Sequence, residues 1–395
     1  MAYKYIYKKC PCTDNLLFSP FSTEIALLMA YTGSKAATKN EITNLLGFGS
    51  NYTFDDLASC LNQIKVQETE DGDDYCKDSD DEDDKFPENY KFHMANGCFI
   101  EDSFTVNACY RRDLETMFSA VCVSVPICND PDEAVRQVNA FVASRTLGKV
   151  PTAVELDDLS SLTRLILVNA LYFRSSWRQP FNEKHTAKRP FTTATGLVIM
   201  AETMRVLLKC NYGESEALHG AQFLELPYFN GFCSAFFILP GKKKKLFGKP
   251  SYRTLDELQN LLTPGKLLHA ITGMCSVRAV TIQLPKFRIE ENLDMRTMLE
   301  EMGMPSAFGK DANFLGISGM PLHINKMKQT AVIDVNEEGT EAGAASVAVM
   351  DLMGRDDSFR EARFIADRPF IFIIRHNSTN TILFMGHINH PSAFS

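Results

Sequence analysis

The chain has 395 residues, with 45% apolar and 10% aromatic residues and a formal net charge of −8. These values exclude a disordered chain, and a chain this long can bury a large core without disulfides or metals. The charge is concentrated. Between Glu68 and Glu88 there are twelve acids and two lysines, a local −10 that leaves +2 for the rest of the protein.

The N-terminus reads Met-Ala-Tyr-Lys-Tyr-Ile-Tyr-Lys-Lys-Cys-Pro-Cys and has no apolar run of signal-peptide length. No stretch reaches about 18 apolar residues, so no transmembrane span is expected. Residues 16–47 read as helical, with Ser22 as a cap, Ile25, Leu28 and Met29 on one face, and Gly33 as a stop. A second helix is expected over 38–46. Residues 68–89 have no periodicity and read as a solvated acidic loop. An apolar strand follows at 92–100. Residues 131–146 are helical, with Val135, Val138 and Val142 in phase. The nearly continuous apolar run 165–173 reads as a strand buried on both faces. Further strands are expected at 222–226, 234–239, 277–284, 330–335, 370–375 and 382–388. This irregular interleaving predicts an α+β fold.

The eleven cysteines show no zinc spacing, and Cys10-Pro-Cys12 lacks a second half. They read as reduced thiols. Neither a cofactor nor a metal is expected. The sequons Asn51-Tyr-Thr53 and Asn377-Ser-Thr379 matter only on a secretory route. Enzyme motifs fail on spacing. Gly316-Ile-Ser318-Gly319 is not a nucleophile elbow, and Gly241 to Lys249 has six residues where a P-loop needs four. The lysines at 242–245 read as a solvated turn, so no nucleic acid partner is expected. The acidic run lacks the central glycine and closing glutamate of a calcium loop.

Residues 329–350 behave differently. The first half alternates as a strand. After Gly339 the residues become small, with Thr340, Ala342, Ala344, Ser346, Ala348 and Met350 on one parity. Small side chains lower the cost of moving between loop and strand.

In order along the chain stand Phe18-Ser19-Pro20-Phe21-Ser22, Val168-Asn169-Ala170-Leu171-Tyr172-Phe173 with Trp177, and Glu225-Leu226-Pro227-Tyr228. Leu284-Pro285-Lys286-Phe287, Met302-Gly303-Met304 with Ala307-Phe308, Arg368-Pro369-Phe370-Ile371-Phe372 and Phe384-Met385-Gly386 follow. This series resembles the serpins from about residue 13 to Pro391. Arg375-His376-Asn377 resembles their ovalbumin-like intracellular branch. The resemblance implies one serpin domain over 1–395, with a large central, mostly antiparallel sheet, further sheets, eight or nine helices and an exposed reactive-centre loop. It implies a monomeric inhibitor, not an enzyme, placed in the cytoplasm or released by a route without a signal peptide.

By the same resemblance, a serine protease cleaves the loop, forms an acyl-enzyme and is trapped as the loop inserts into the main sheet. The hinge is then Glu338, Gly339, Thr340, Glu341, Ala342, Gly343, Ala344 and Ala345. Its small residues point to an inhibitory member; a non-inhibitory binding or chaperone module and an inhibitor of cysteine proteases are the alternatives. Family spacing, sixteen positions on from Glu337, puts the scissile bond at Met353–Gly354. Met353 suits elastase- or chymotrypsin-like pockets. Arg355–Asp356 is the alternative and suits a trypsin-like pocket. Ser19, Ser22, Asn169, Trp177 and Gln329 carry over as shutter and breach residues. Gln329 stands where the family has histidine, so a shutter with Asn169 and Ser22 would not titrate there. The acidic loop is read as a solubilising tether or a site for a basic partner. Little chain precedes Leu16, so the helical side is expected to be rearranged.

Overall fold

A proline decides where the first long helix begins. In the computed structural model, which describes residues 2–9, 13–48, 56, 59, 61, 63–64, 91–229, 231–243, 251–340 and 362–391, the helix runs Pro20–Gly33. Pro20 occupies the first turn, where its missing N–H costs nothing. The cap is therefore Ser19, not Ser22, and the Ser19 side chain accepts from Ser22 N. The residues before it are not helical either. Leu16–Phe18 form strand β1. The next helix is Ala36–Leu46, closed by Gly47 at φ 72°, a conformation that favours glycine.

The other strands in chain order are β2 (Lys91–Glu101), β3 (Val121–Val125), β4 (Leu165–Ser176), β5 (Ala187–Thr192) and β6 (Val198–Ser215). Then come β7 (Ala221–Pro227), β8 (Cys233–Leu239), β9 (Lys242–Lys243), β10 (Ser251–Tyr252), β11 (Cys275–Pro285) and β12 (Phe287–Asp294). The last are β13 (Lys326–Val335), β14 (Gly339–Thr340), β15 (Ala362–Ile365), β16 (Phe370–His376) and β17 (Ile382–Ile388). A six-stranded sheet has the order β12-β13-β14-β4-β2-β3, with β13 also pairing β4. A nine-stranded sheet runs β1-β17-β16-β8-β7-β6-β11-β15, with β5 on β6.

The apolar run in β4 is buried throughout because both of its faces are covered. Leu165, Leu167, Leu171 and Phe173 enter the main core with the nine-stranded sheet. Ile166, Val168 and Ala170 pack on the other side against Val138 and Val142 of helix Pro131–Arg145. That helix closes the outer face of the six-stranded sheet.

The short N-terminal helix Ala2–Lys9 docks on the body through Tyr3. Tyr3 is buried, receives a hydrogen bond from Gln259 at 2.6 Å and meets His387 Nδ1 at 3.2 Å. Burial pushes the His387 imidazole down to about 4. Among the described residues no helix is long and apolar enough to cross a membrane.

Candidate functional site

The six-stranded sheet has a seam. β13 and β4 pair in parallel from Lys326↔Ile166 to Val332↔Tyr172. Beyond Tyr172 they part, and β14 lies between them. Thr340 pairs antiparallel with Val335 on one side and Ser175 on the other, and Gly339 pairs with Ser176. The turn into β14 is held by Asn336. Its side-chain oxygen accepts from Glu338 N at 3.0 Å and Gly339 N at 3.2 Å, while its own N–H donates to Gly339 O at 2.9 Å.

Aromatic packing fixes the top of the seam. Thr340 is fully buried, and its hydroxyl lies 2.7 Å from the Tyr228 hydroxyl. The Tyr228 ring stacks on Trp177, centroids 4.7 Å apart and planes at 9°. Trp177 in turn donates its indole N–H to Asn336 O at 3.0 Å and its backbone N–H to Glu338 O at 2.8 Å. Gly339 is required by space. A Cβ there would collide with Ser175 O and come within 2.7 Å of Ser176 Cα. Gly339→Ala is expected to lift β14 from the sheet and destabilise the protein by about 1–3 kcal/mol, as overpacking does. Urea unfolding of the variant checks this; an unchanged midpoint counts against the seat.

Glu337, two residues before Gly339, is buried and ionised. Burial pushes its carboxyl up, but the Thr186 hydroxyl at 2.7 Å and the Lys286 ammonium at 3.0 Å outweigh burial and hold it below the ordinary range. A depressed carboxyl stabilises the fold above its unfolded value of about 4.3, and that stability is lost as pH falls through the folded value. Wild type should exceed Glu337→Gln by about 1–3 kcal/mol near pH 7, the range for hydrogen bonds to charged groups. The gap should close below about pH 4. Thermal melts at both pH values test this, and a constant gap would contradict it.

Midway down the seam a polar row crosses the apolar sheet. Asn96, Asn169 and Gln329 are register neighbours on β2, β4 and β13. Ser22 Oγ donates to Asn169 Oδ1, and Asn169 Nδ2 donates to Asn96 Oδ1. Asn96 Nδ2 donates to Phe118 O at 3.1 Å. Gln329 takes other partners than those expected. Its Nε2 donates to Ser19 O at 2.8 Å and Thr23 Oγ1 at 3.0 Å, and its Oε1 accepts from Ser19 N at 3.0 Å. It therefore engages Ser19 and Thr23, not Asn169 and Ser22. The physical reason is the helix cap. Ser19 offers a backbone donor and acceptor side by side, which suits a primary amide. Ser19 Oγ donates to Leu383 O at 2.6 Å, joining this row to β17.

With this geometry in view, comparison with known proteins decides the family. The family model described as serpin (serine protease inhibitor) matches residues 2–391. The chain belongs to the serpin family. Plasminogen activator inhibitor 2 of Homo sapiens is 32% identical over 414 residues, covering 98% of this chain and 96% of its own length. Leukocyte elastase inhibitor of Bos taurus is 30% identical over 389 residues, covering 95% and 93%. Both belong to the ovalbumin-type branch that the sequence resembles. The crystal structure of Serpin48 from Tenebrio molitor superposes with a TM-score of 0.81 at 28% identity, covering 99% of this chain and 95% of that one.

The structure of this serpin brings Ser19, Ser22, Asn169 and Gln329 into one neighbourhood and places Trp177 with Glu338, Gly339 and Thr340 at the top of the seam. Glu341, Ala342, Gly343, Ala344, Ala345, Met353, Gly354, Arg355 and Asp356 lie outside the described residues. So do the acidic run and Asn51. Asn377 is described, and its side-chain nitrogen donates to Gly231 O at 2.8 Å and Ser234 Oγ at 3.0 Å. A glycan would replace one of that nitrogen's two hydrogens, so at most one of these bonds could survive. Sequence reasoning gave no role to Tyr228, Asn96, Thr23 or Lys286. Asn96 carried a signal, a lone amide in an apolar strand. Lys286 and Thr23 did not, because the partners that give them a role, Glu337 and Gln329, lie far away in sequence.

Proposed function

We propose that this serpin is a suicide inhibitor of serine endopeptidases. The observation that carries the reading is Thr340, seated antiparallel between two strands that otherwise pair in parallel. Continuing its register down the seam would set Ala342 between Phe173 and Ile333, and Ala344 between Leu171 and Ala331. Ser346 would arrive between Asn169 and Gln329, the polar row, and Ala348 between Leu167 and Met327. All six apolar neighbours belong to the main core, where only small side chains fit without displacing others. The seam ends where Val349 meets Lys326 and Met350 meets Leu165. Residues 341–350 would thus fill it, with Met353–Gly354 just beyond.

Insertion would replace one parallel pairing by two antiparallel ones, which are somewhat more stable per residue. Each new hydrogen bond adds about 0.5–1.5 kcal/mol net. In the trapping reaction the protease serine Oγ attacks the Met353 carbonyl carbon. The peptide bond breaks, Gly354 leaves as the new amine, and an ester joins Met353 to the protease. Insertion then competes with hydrolysis of that ester.

Two relatives are named as inhibitors, one of leukocyte elastase, and Met353 suits such a pocket. The test is incubation with elastase, chymotrypsin and trypsin. An SDS-resistant complex is expected, and mass spectrometry of the released C-terminal peptide assigns Met353–Gly354 or Arg355–Asp356. Cleavage by every protease without complex and without a gain in melting temperature would instead support a non-inhibitory binding module.

A further inference from the structure

A pair of cysteines lies away from the seam. Cys98 on β2 and Cys122 on β3 are directly opposed in the parallel register. Neighbouring strands lie about 4.7–4.9 Å apart, inside the Cα separation of about 4.4–6.8 Å that a disulfide spans. Both residues face the main core, and both are free thiols. Helix Ala108–Phe118 covers them. Its Tyr110 hydroxyl donates to Met29 O at 3.2 Å and lies 3.8 Å from Cys98 Sγ.

We propose that Cys98 and Cys122 are an oxidisable dithiol that reduces hydroperoxides, with Cys122 as the attacking sulfur and Cys98 as the resolving one.

The two environments differ in the way such a pair needs. The Cys98 thiol hydrogen-bonds the Cys122 sulfur and, with the Arg111 guanidinium beside it, holds Cys122 below the ordinary thiol range despite burial. Burial pushes Cys98 up, so it keeps its proton. Cys98 is fully buried, while Cys122 retains 9% exposure. The nucleophile is the thiolate, and a neighbouring cation favours it. Cys210 shows the contrast: burial and Glu225 push it up to about 12. A buried cysteine is ordinarily an inert small hydrophobe. Here two are opposed, and one is beside an arginine.

The chemistry balances. The Cys122 thiolate attacks the terminal peroxide oxygen of ROOH, the O–O bond breaks, and RO⁻ takes up the proton that Cys122 had lost. Cys122 is then a sulfenic acid. The Cys98 sulfur attacks the Cys122 sulfur, the S–O bond breaks, and the departing hydroxide takes the Cys98 proton. Two thiols are oxidised by two electrons, and ROOH becomes ROH and water.

Full-length protein treated with a slight excess of hydrogen peroxide tests this. Trypsin leaves Cys98 with Cys109 in peptide 92–111, and Cys122 with Cys128 in peptide 113–136. The assignment is therefore made in a Cys109→Ser/Cys128→Ser background. The expected result is a 92–111/113–136 peptide linked by a disulfide, with loss of alkylation at both cysteines and recovery by dithiothreitol. Cys98→Ser should stop at a Cys122 sulfenic acid that dimedone captures. Arg111→Leu should slow the oxidation by more than about threefold, through a smaller thiolate fraction. Wild-type Cys98 and Cys122 that remain fully alkylatable after unfolding would overturn the proposal, as would an Arg111→Leu rate equal to that of the parent.

Discussion

Thr340→Arg is expected to abolish the SDS-resistant complex while leaving loop cleavage intact. Thr340 is fully buried between Val335 and Ser175, and its hydroxyl is matched by Tyr228. A guanidinium there cannot discharge itself, and an unpaired buried charge costs several kcal/mol. Each 1.36 kcal/mol is tenfold in rate, so insertion should slow by more than about 100-fold relative to ester hydrolysis. The protease would then treat the chain as substrate. Gel analysis of equimolar mixtures should show cleaved serpin and free protease. A complex yield like that of wild type would remove Thr340 from the inserting strand.

The second large effect concerns Asn169→Ala. Asn169 joins Ser22 to Asn96 inside the sheet, and all three are buried. Removing the amide leaves the Ser22 hydroxyl and the Asn96 carbonyl without partners. Each such group costs about 1–3 kcal/mol, about 2–6 kcal/mol together. With about 2.1 cal/mol/K of unfolding entropy per residue, the melting temperature should fall by about 2–7 °C. Differential scanning calorimetry on the uncleaved protein reads this directly. An unchanged transition would mean that water or a neighbour replaces the amide and that the row does not pin the seam.

Much of the sheet framework was legible because burial leaves a simple trace. β4 reads as a double-faced strand since both sides meet apolar partners, and β16 and β17 read equally well. The start of the first helix was misread because helical spacing continues back through Leu16 and Phe18, while the deciding residue is Pro20. The hairpin of β5 and β6 was missed for the opposite reason. In β6 the exposed parity switches at the consecutive buried residues Thr203 and Met204, from Met200 and Glu202 to Arg205, Leu207 and Lys209, and exposed Met200 and Leu207 blur the alternation further. Of the expected hinge, only Glu338, Gly339 and Thr340 lie among the described residues, and the small residues after Thr340 do not. The partners of Gln329 were not legible, because a glutamine can face several donors, and only the Ser19 cap geometry selects among them. The opposition of Cys98 and Cys122 needs the β2–β3 register, which no local pattern encodes.

Trp177 is the only tryptophan in the chain. It lies against Tyr228, one ring away from the hydroxyl that meets Thr340. The protein therefore contains an optical gauge at the point where the sheet would open, with no competing indole. If the loop inserts as proposed, stopped-flow emission during reaction with a protease should report that insertion without a label, and the same trace in Thr340→Arg should give a baseline for acylation without insertion.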